Sequence, residues 1–170
     1  GIPPALSKSC RKATYRLIER AREKNMLVSF DPNLRPTLWE SQEVMIQTIN
    51  DIASKADIVL PGTGEGKILM GSDKPEEIAE FYRKNGAKAV IIKAGGAGAY
   101  ADWEDGKAFY PGYKVKEVVV GILSAWLEGL QMPEMVDRGN AIGSIQVSVA
   151  SDNEGLPTKE ELDAYMKGAK

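Results

Sequence analysis

Three short apolar segments, each following a stretch of helical periodicity, constrain this chain more than any other feature of its sequence. "MLVSFD" (26–31), "DIVLP" (57–61) and "AVIIK" (89–93) read as strands, and runs this apolar suit burial on both faces of a sheet. Over residues 5–25, Leu6, Cys10, Ala13, Leu17 and Ala21 form a stripe on an otherwise basic surface. Cys10 on that stripe reads as a buried small hydrophobe, and Arg20, Arg22 and Lys24 as a solvated face. Ser41 is placed to cap a helix running to about Lys55, with Val44, Met45, Ile49 and Ile52 inward. Pro75 and Gly86 bracket a further helix, one inside its first turn and one past its end. Helix–strand alternation implies right-handed crossovers and a parallel sheet covered on both faces. The expected class is α/β, a three-layer α/β/α sandwich with a mostly parallel sheet. Ligands of such sheets bind outside the carboxyl ends of the strands.

After residue 93 the pattern changes. "GAYADW" and "KAFYPGYKVKEVVV" alternate around "EDGK", which predicts a hairpin and hence antiparallel strands at one edge. Helices are expected over about 121–131, with Trp126 on the core face, and over 133–149. A last helix follows Pro157, with a capping box at Thr158 and Glu161. Within "KVKEVVVGILSAWLEGL" (114–130) a strand pattern turns into a helix pattern across Gly121 alone. A strand-to-helix loop normally takes about 2–6 residues and supplies a polar cap. The expectation is a gap at about Val119–Val120, with the loop missing.

A chain of 170 residues fits one domain. A net charge of −2 gives no electrostatic case for nucleic acid or an anionic membrane as partner, and no apolar run approaches the ~20 residues of a membrane span. One cysteine points to a reducing, cytoplasmic setting. Histidine is absent, which removes Ser–His and Cys–His pairs and histidine-ligated metal sites. The opening Gly1-Ile2-Pro3-Pro4 reads as the exit of an element not included here, and the chain as a fragment.

Three strand-end loops carry the candidate chemistry. In "FDPNLRPTLW", Asp31, Asn33 and Arg35 follow the first strand, and Pro32 and Pro36 stiffen the loop. Arg35 offers a planar fork for a carboxylate or phosphate, although an Asp-Pro-Asn turn with a surface arginine accounts for the same residues. In "LPGTGEGK", Glu65 stands at a helix start. It either complements the helix dipole there or helps to hold Mg²⁺, which takes one or two carboxylates plus waters and phosphate oxygens. In "KAGGAGAY", Gly95, Gly96 and Gly98 let backbone approach a ligand or simply turn the chain into a hairpin. The predicted strand after these glycines excludes a dinucleotide fingerprint, which needs a helix there, and the Walker A ending is absent. An NAD-dependent oxidoreductase is therefore disfavoured. Asn140 in "GNAIGS" faces either a ligand or a helix neighbour.

In order, "VSFDPNLRPTLW", "ADIVLPGTGEGKILMGS", "AVIIKAGGAGAY" and "RGNAIGSIQVSVASDNEGLPTKEEL" resemble the C-terminal part of the ribokinase-like (PfkB) carbohydrate kinases, and 2-keto-3-deoxygluconate kinases most. The resemblance implies an α/β core with a small β lid, and transfer of the γ-phosphoryl group of ATP to a sugar hydroxyl with Mg²⁺. It implies that Glu65 matches the glutamate of the family's N-x-x-E motif, acting on Mg²⁺ through water, with Gly62 in place of the motif's Asn. Lys93, Gly95, Gly96 and Gly98 would belong to the nucleotide-binding strand and turn, and Asn140 to the helix beside the adenine pocket. Arg35, with Asn33 in the same D-x-N-x-R loop, would pair with an acid sugar's carboxylate.

Two features of the family are missing. The lid, often the contact of a homo-oligomer, would precede Gly1. The D-T-x-G-A-G-D segment, with its anion hole and catalytic Asp, would fall between Val119 and Val120. The resemblance thus implies a small-molecule acid-sugar kinase, with a truncated, non-catalytic nucleotide-binding pseudo-kinase as the alternative.

Overall fold

The computed structural model describes residues 1–112, 119–146 and 155–168, with Val119 and Val120 described by backbone alone. The chain divides into two compact units, Gly1–Ile92 and Lys93–Lys170.

The first unit contains α1 (Pro3–Leu6), α2 (Lys8–Glu23), β1 (Ser29–Phe30), α3 (Gln42–Ala53), β2 (Ile58–Val59), α4 (Thr63–Met70), α5 (Pro75–Lys84) and β3 (Ala89–Lys93), whose last residue opens the second unit. β1 and β2 pair in parallel, Ser29 with Ile58 and Phe30 with Val59. β2 and β3 pair likewise, Ile58 with Ala89 and Val59 with Val90. The strands are shorter than "MLVSFD" and "DIVLP" suggest. Met26 and Leu27 are exposed, and the Val28 N–H donates to the Asp57 carboxylate rather than to a ladder.

The helix boundaries follow local chemistry. Ser41 Oγ accepts the Val44 N–H at 3.2 Å, as expected of the cap of α3. α2 stops at Asn25, which takes φ 52°, while the Asn25 and Met26 N–H groups return to Arg22 and Ala21. α5 ends in the same way with Gly86 at φ 108°. These are 6→1 and 5→2 closures, which need a left-handed residue just past the helix.

The face that α2 buries is not the expected one. Leu6 and Leu17 are exposed, Cys10 is only half-buried, and Ile18 enters the core. The basic face is not all solvated either, because Arg22 Nη1 reaches the buried Asp57 carboxylate at 2.8 Å. That ion pair and Ile18 rotate the helix away from the Leu6–Leu17 stripe. Close packing also governs α4 and α5. A Cβ on Gly66 would lie 2.3 Å from Ile78 Cδ1 and 2.9 Å from the Ser72 carbonyl oxygen. Gly66→Ala is expected to cost about 2 kcal/mol in urea unfolding, an overpacking effect.

The second unit contains β4 (Gly98–Trp103), β5 (Gly106–Pro111), α6 (Val119–Leu127), α7 (Met132–Gln146) and α8 (Lys159–Gly168). β4 and β5 form the expected antiparallel hairpin, from Gly98 opposite Pro111 to Trp103 opposite Gly106. Thr158 and Glu161 form the expected capping box, with N···O distances of 2.8 and 3.3 Å. Parallel strands in one unit and antiparallel strands in the other make this the mixed α/β class expected.

α6 departs from expectation in several respects. Val119 and Val120 are helical rather than the end of a strand, and the strand expected over 115–118 lies outside the described residues. Gly121 is not a junction but a packing point inside the helix. A Cβ there would lie 2.5 Å from Gly139 Cα on α7. This close approach turns Gly121, Ile122 and Ala125 inward and leaves Trp126 39% exposed, off the core face. The last three residues of the expected 133–149 helix fall outside the described residues.

Candidate functional site

The first unit brings Asn33, Arg35 and Glu65 together beyond the carboxyl ends of β1 and β2. The loop after β1 is anchored by its apolar members. Leu34 and Trp39 pack against the cluster of Met45, Ile49 and Leu69, and the Arg11 guanidinium lies 5.0 Å from the Trp39 ring centroid, within cation–π range. Asp31 Oδ1 accepts the Asn33 N–H at 3.1 Å, an Asx-turn. Asn33 takes φ 40°, a left-handed conformation that Asn tolerates better than most residues. Arg35 Nη1 donates to Asn33 Oδ1 at 2.7 Å and to the Leu34 carbonyl at 2.9 Å. Both acceptors are uncharged, so neither offsets the positive charge of the exposed guanidinium.

Glu65 stands in the first turn of α4. Its Oε2 accepts the Gly62 N–H at 2.6 Å, which is the glutamate half of a capping box, since Gly62 has no side chain to return the bond. Its Oε1 accepts the Leu34 N–H at 2.9 Å. This second bond joins two strand-end loops, and nothing in the side-chain pattern announces it, because the donor is backbone. Burial pushes the nearby Tyr82 hydroxyl well above its ordinary pKa, and the Glu65 charge adds to that.

Each Glu65 oxygen takes one N–H and retains a second lone pair. A lone carboxylate so placed fits Mg²⁺ held through water, a cation that would neutralise phosphate charge. Among the described residues no group of three or more His, Cys, Asp or Glu is arranged to hold a metal directly.

The second unit holds the other candidates. Lys93 ends β3, and Gly95–Ala97 forms a 3-10 turn. The Ala94 N–H donates to the Gly98 carbonyl at 2.9 Å, and the Gly112 N–H to the Ala97 carbonyl at 3.0 Å. Space is open where Gly95 or Gly96 would carry a Cβ, whereas a Cβ on Gly98, at φ 119°, would meet the Tyr110 carbonyl oxygen at 2.1 Å. Gly98 is thus required by the hairpin itself, while Gly95 and Gly96 leave the turn backbone uncovered. β4 rather than a helix follows these glycines, as the sequence pattern predicts. Asn140 is buried on α7, and its amide lies 3.4 and 3.3 Å from the Tyr110 and Pro111 carbonyls, holding the end of β5.

These features define an α/β protein whose strand-end loops carry an arginine held by neutral acceptors and a carboxylate that bridges two of the loops. The family model described as "pfkB family carbohydrate kinase" matches residues 1–159. A 2-dehydro-3-deoxygluconokinase of Bacillus subtilis (strain 168) is 43% identical over 98% of this chain and 54% of its own length. One from Thermoproteus tenax is 30% identical over 98% of this chain and 53% of its own length. The crystal structure of a PfkB protein from Polaromonas sp. JS666 is 45% identical and superposes with a TM-score of 0.88, over 96% of this chain and 54% of that one. The chain belongs to the PfkB family of carbohydrate kinases and has its ribokinase-like fold. It spans about half the length of the curated relatives it matches.

Proposed function

We propose that this chain is the C-terminal part of an ATP-dependent kinase that phosphorylates a hydroxyl of an acid sugar, 2-keto-3-deoxygluconate, in the cytoplasm. The observation that carries the reading is Arg35, held in the loop after β1 by two neutral acceptors, which suits a carboxylate. The two relatives named as 2-dehydro-3-deoxygluconokinases support it. In this reading Arg35 and Asn33 hold the sugar acid, and Glu65 acts on Mg²⁺ through water. Lys93, Gly95, Gly96 and Gly98 line the nucleotide, with Asn140 on the helix beside the adenine pocket. Mg²⁺ supplies charge neutralisation on the phosphates. Phosphoryl transfer otherwise rests on positioning and on donors aimed at developing charge.

In this reading the catalytic Asp belongs to a D-T-x-G-A-G-D loop missing from this chain near the start of α6. The alignment with the Bacillus subtilis relative runs over 176 positions against a chain of 170. Some positions of that relative therefore have no counterpart here. A lid preceding Gly1 would provide the contact of a homo-oligomer.

The test is a coupled ATPase assay on the full-length protein, across acid sugars, ketoses and nucleosides, with intact mass measured on the same sample. Phosphorylation of 2-keto-3-deoxygluconate in preference to the others supports the reading. ATP binding without phosphoryl transfer, by a chain whose mass confirms that the loop is absent, would establish the pseudo-kinase instead.

A further inference from the structure

Glu65 does more in this fold than face a phosphate site. Its Oε1 accepts a backbone N–H from a residue 31 positions away, and that residue, Leu34, lies between Asn33 and Arg35. Leu34 is also held through its side chain, which packs against a cluster containing Leu69 of α4, the helix that carries Glu65. The loop is thus tied to α4 by one polar and one apolar contact. The polar contact acts where the backbone is least comfortable. Asn33 is left-handed at φ 40°, a conformation that persists only when its surroundings over-determine it. Three bonds do so: Asp31 takes the Asn33 N–H, Glu65 takes the Leu34 N–H, and Arg35 donates to Asn33 Oδ1. Of these three, the Glu65 bond is the one that reaches outside the loop. Without it, Asn33 can relax toward ordinary backbone angles, and the Arg35 fork moves with it.

We propose that Glu65 is a positioning residue for acid-sugar recognition: by accepting the Leu34 N–H it fixes the Asn33–Arg35 loop, so affinity for the sugar acid depends on Glu65 even with no metal or nucleotide bound. The proposal rests on the reading of Arg35 as the carboxylate partner.

The test is calorimetric binding of 2-keto-3-deoxygluconate to the full-length kinase in EDTA, without nucleotide, for wild type, Glu65→Ala, Glu65→Gln, Arg35→Ala and the Glu65→Ala/Arg35→Ala pair. Glu65→Ala is expected to weaken binding about tenfold. Glu65→Gln, whose one amide oxygen can still take the Leu34 N–H only by turning its NH2 toward the Gly62 N–H, is expected to restore part of it. In the Arg35→Ala background the Glu65 substitution is expected to have no further effect, a non-additivity that a general loss of stability would not produce. If Glu65→Ala does not fold, the comparison of Glu65→Gln with wild type against Mg²⁺ binding takes its place: Mg²⁺ binding weakened more than sugar binding is the expected split. Wild-type affinity in Glu65→Ala, or equal losses with and without Arg35, would overturn the proposal. Failure of the wild type to bind any acid sugar would overturn the Arg35 reading itself, and the proposal with it.

Discussion

Arg35→Ala is expected to raise KM for 2-keto-3-deoxygluconate about a hundredfold in the full-length kinase, with KM for ATP changing less than twofold. The size follows from the strength of the pair that Arg35 would form. A charge-assisted, bidentate pair between guanidinium and carboxylate contributes more than a neutral hydrogen bond, about 1.5–3 kcal/mol, and ~2.7 kcal/mol is a hundredfold. Nothing else in the loop can replace it. The neighbouring Asn33 is already engaged by Arg35 itself, and an amide carries no charge. Arg35→Lys is expected to recover only part of the affinity, because an ammonium lacks the planar fork. The check is steady-state kinetics with each substrate varied against saturating levels of the other. Equal effects on both KM values would argue that Arg35 supports the active site generally and does not read the substrate.

The contrast between Arg35 and Glu65 shows how far such a site can be read before a fold is known. Arg35 and Asn33 are visible because a strand pattern ends two residues earlier and prolines bracket the loop. The apolar anchoring of that loop by Leu34 and Trp39 emerges only in the fold. The bond from Leu34 to Glu65 does too, because a backbone donor leaves no trace in residue type. Gly62 hides it further, because a cap without a side chain gives no sign of the carboxylate's partners. Asn140 shows the reverse. The sequence leaves it open between ligand and structure, and the fold gives its amide a definite task at the end of β5.

Among the elements, those with local determinants were the legible ones. The Ser41 cap, the Thr158–Glu161 box, the glycine after α5 and the hairpin of β4 and β5 each depend on residues within a few positions of one another. The face of α2 depends instead on Asp57, 35 residues from Arg22, and an apolar stripe of leucines pointed the wrong way. α6 misled for a similar reason. Gly121 breaks the local pattern as a turn residue would, but its purpose is to let α7 approach at Gly139, which only tertiary packing reveals.

That same Asp57 supports the last prediction, in which Asp57→Ala lowers stability by about 3 kcal/mol near neutral pH. The carboxylate is 4% exposed and accepts from Arg22 Nη1 at 2.8 Å, Lys88 Nζ at 3.1 Å and the Val28 N–H at 2.9 Å. It ties α2 and the segments leading into β1 and β3 to the start of β2. Removing it strips charge-assisted bonds and leaves the Val28 N–H without its acceptor, each effect being of order 1–3 kcal/mol. The full cost of an uncompensated buried charge does not arise, since both cations are well exposed and can be hydrated. Burial alone would raise the Asp57 pKa, but the Val28 N–H, Arg22 and Lys88 outweigh it and hold the group below its ordinary value. In the acid range the unfolded chain therefore binds this proton more readily than the folded one, so stability rises with pH there. The contribution is complete above the unfolded value of about 4 and is lost as pH falls through the depressed folded value. Asp57→Asn keeps an acceptor for Val28 and should cost about half as much at pH 7. Its urea-unfolding free energy should also fall less steeply than the wild type's below about pH 4. Parallel acid slopes for the two proteins would mean that Asp57 is not among the groups whose protonation unfolds this domain.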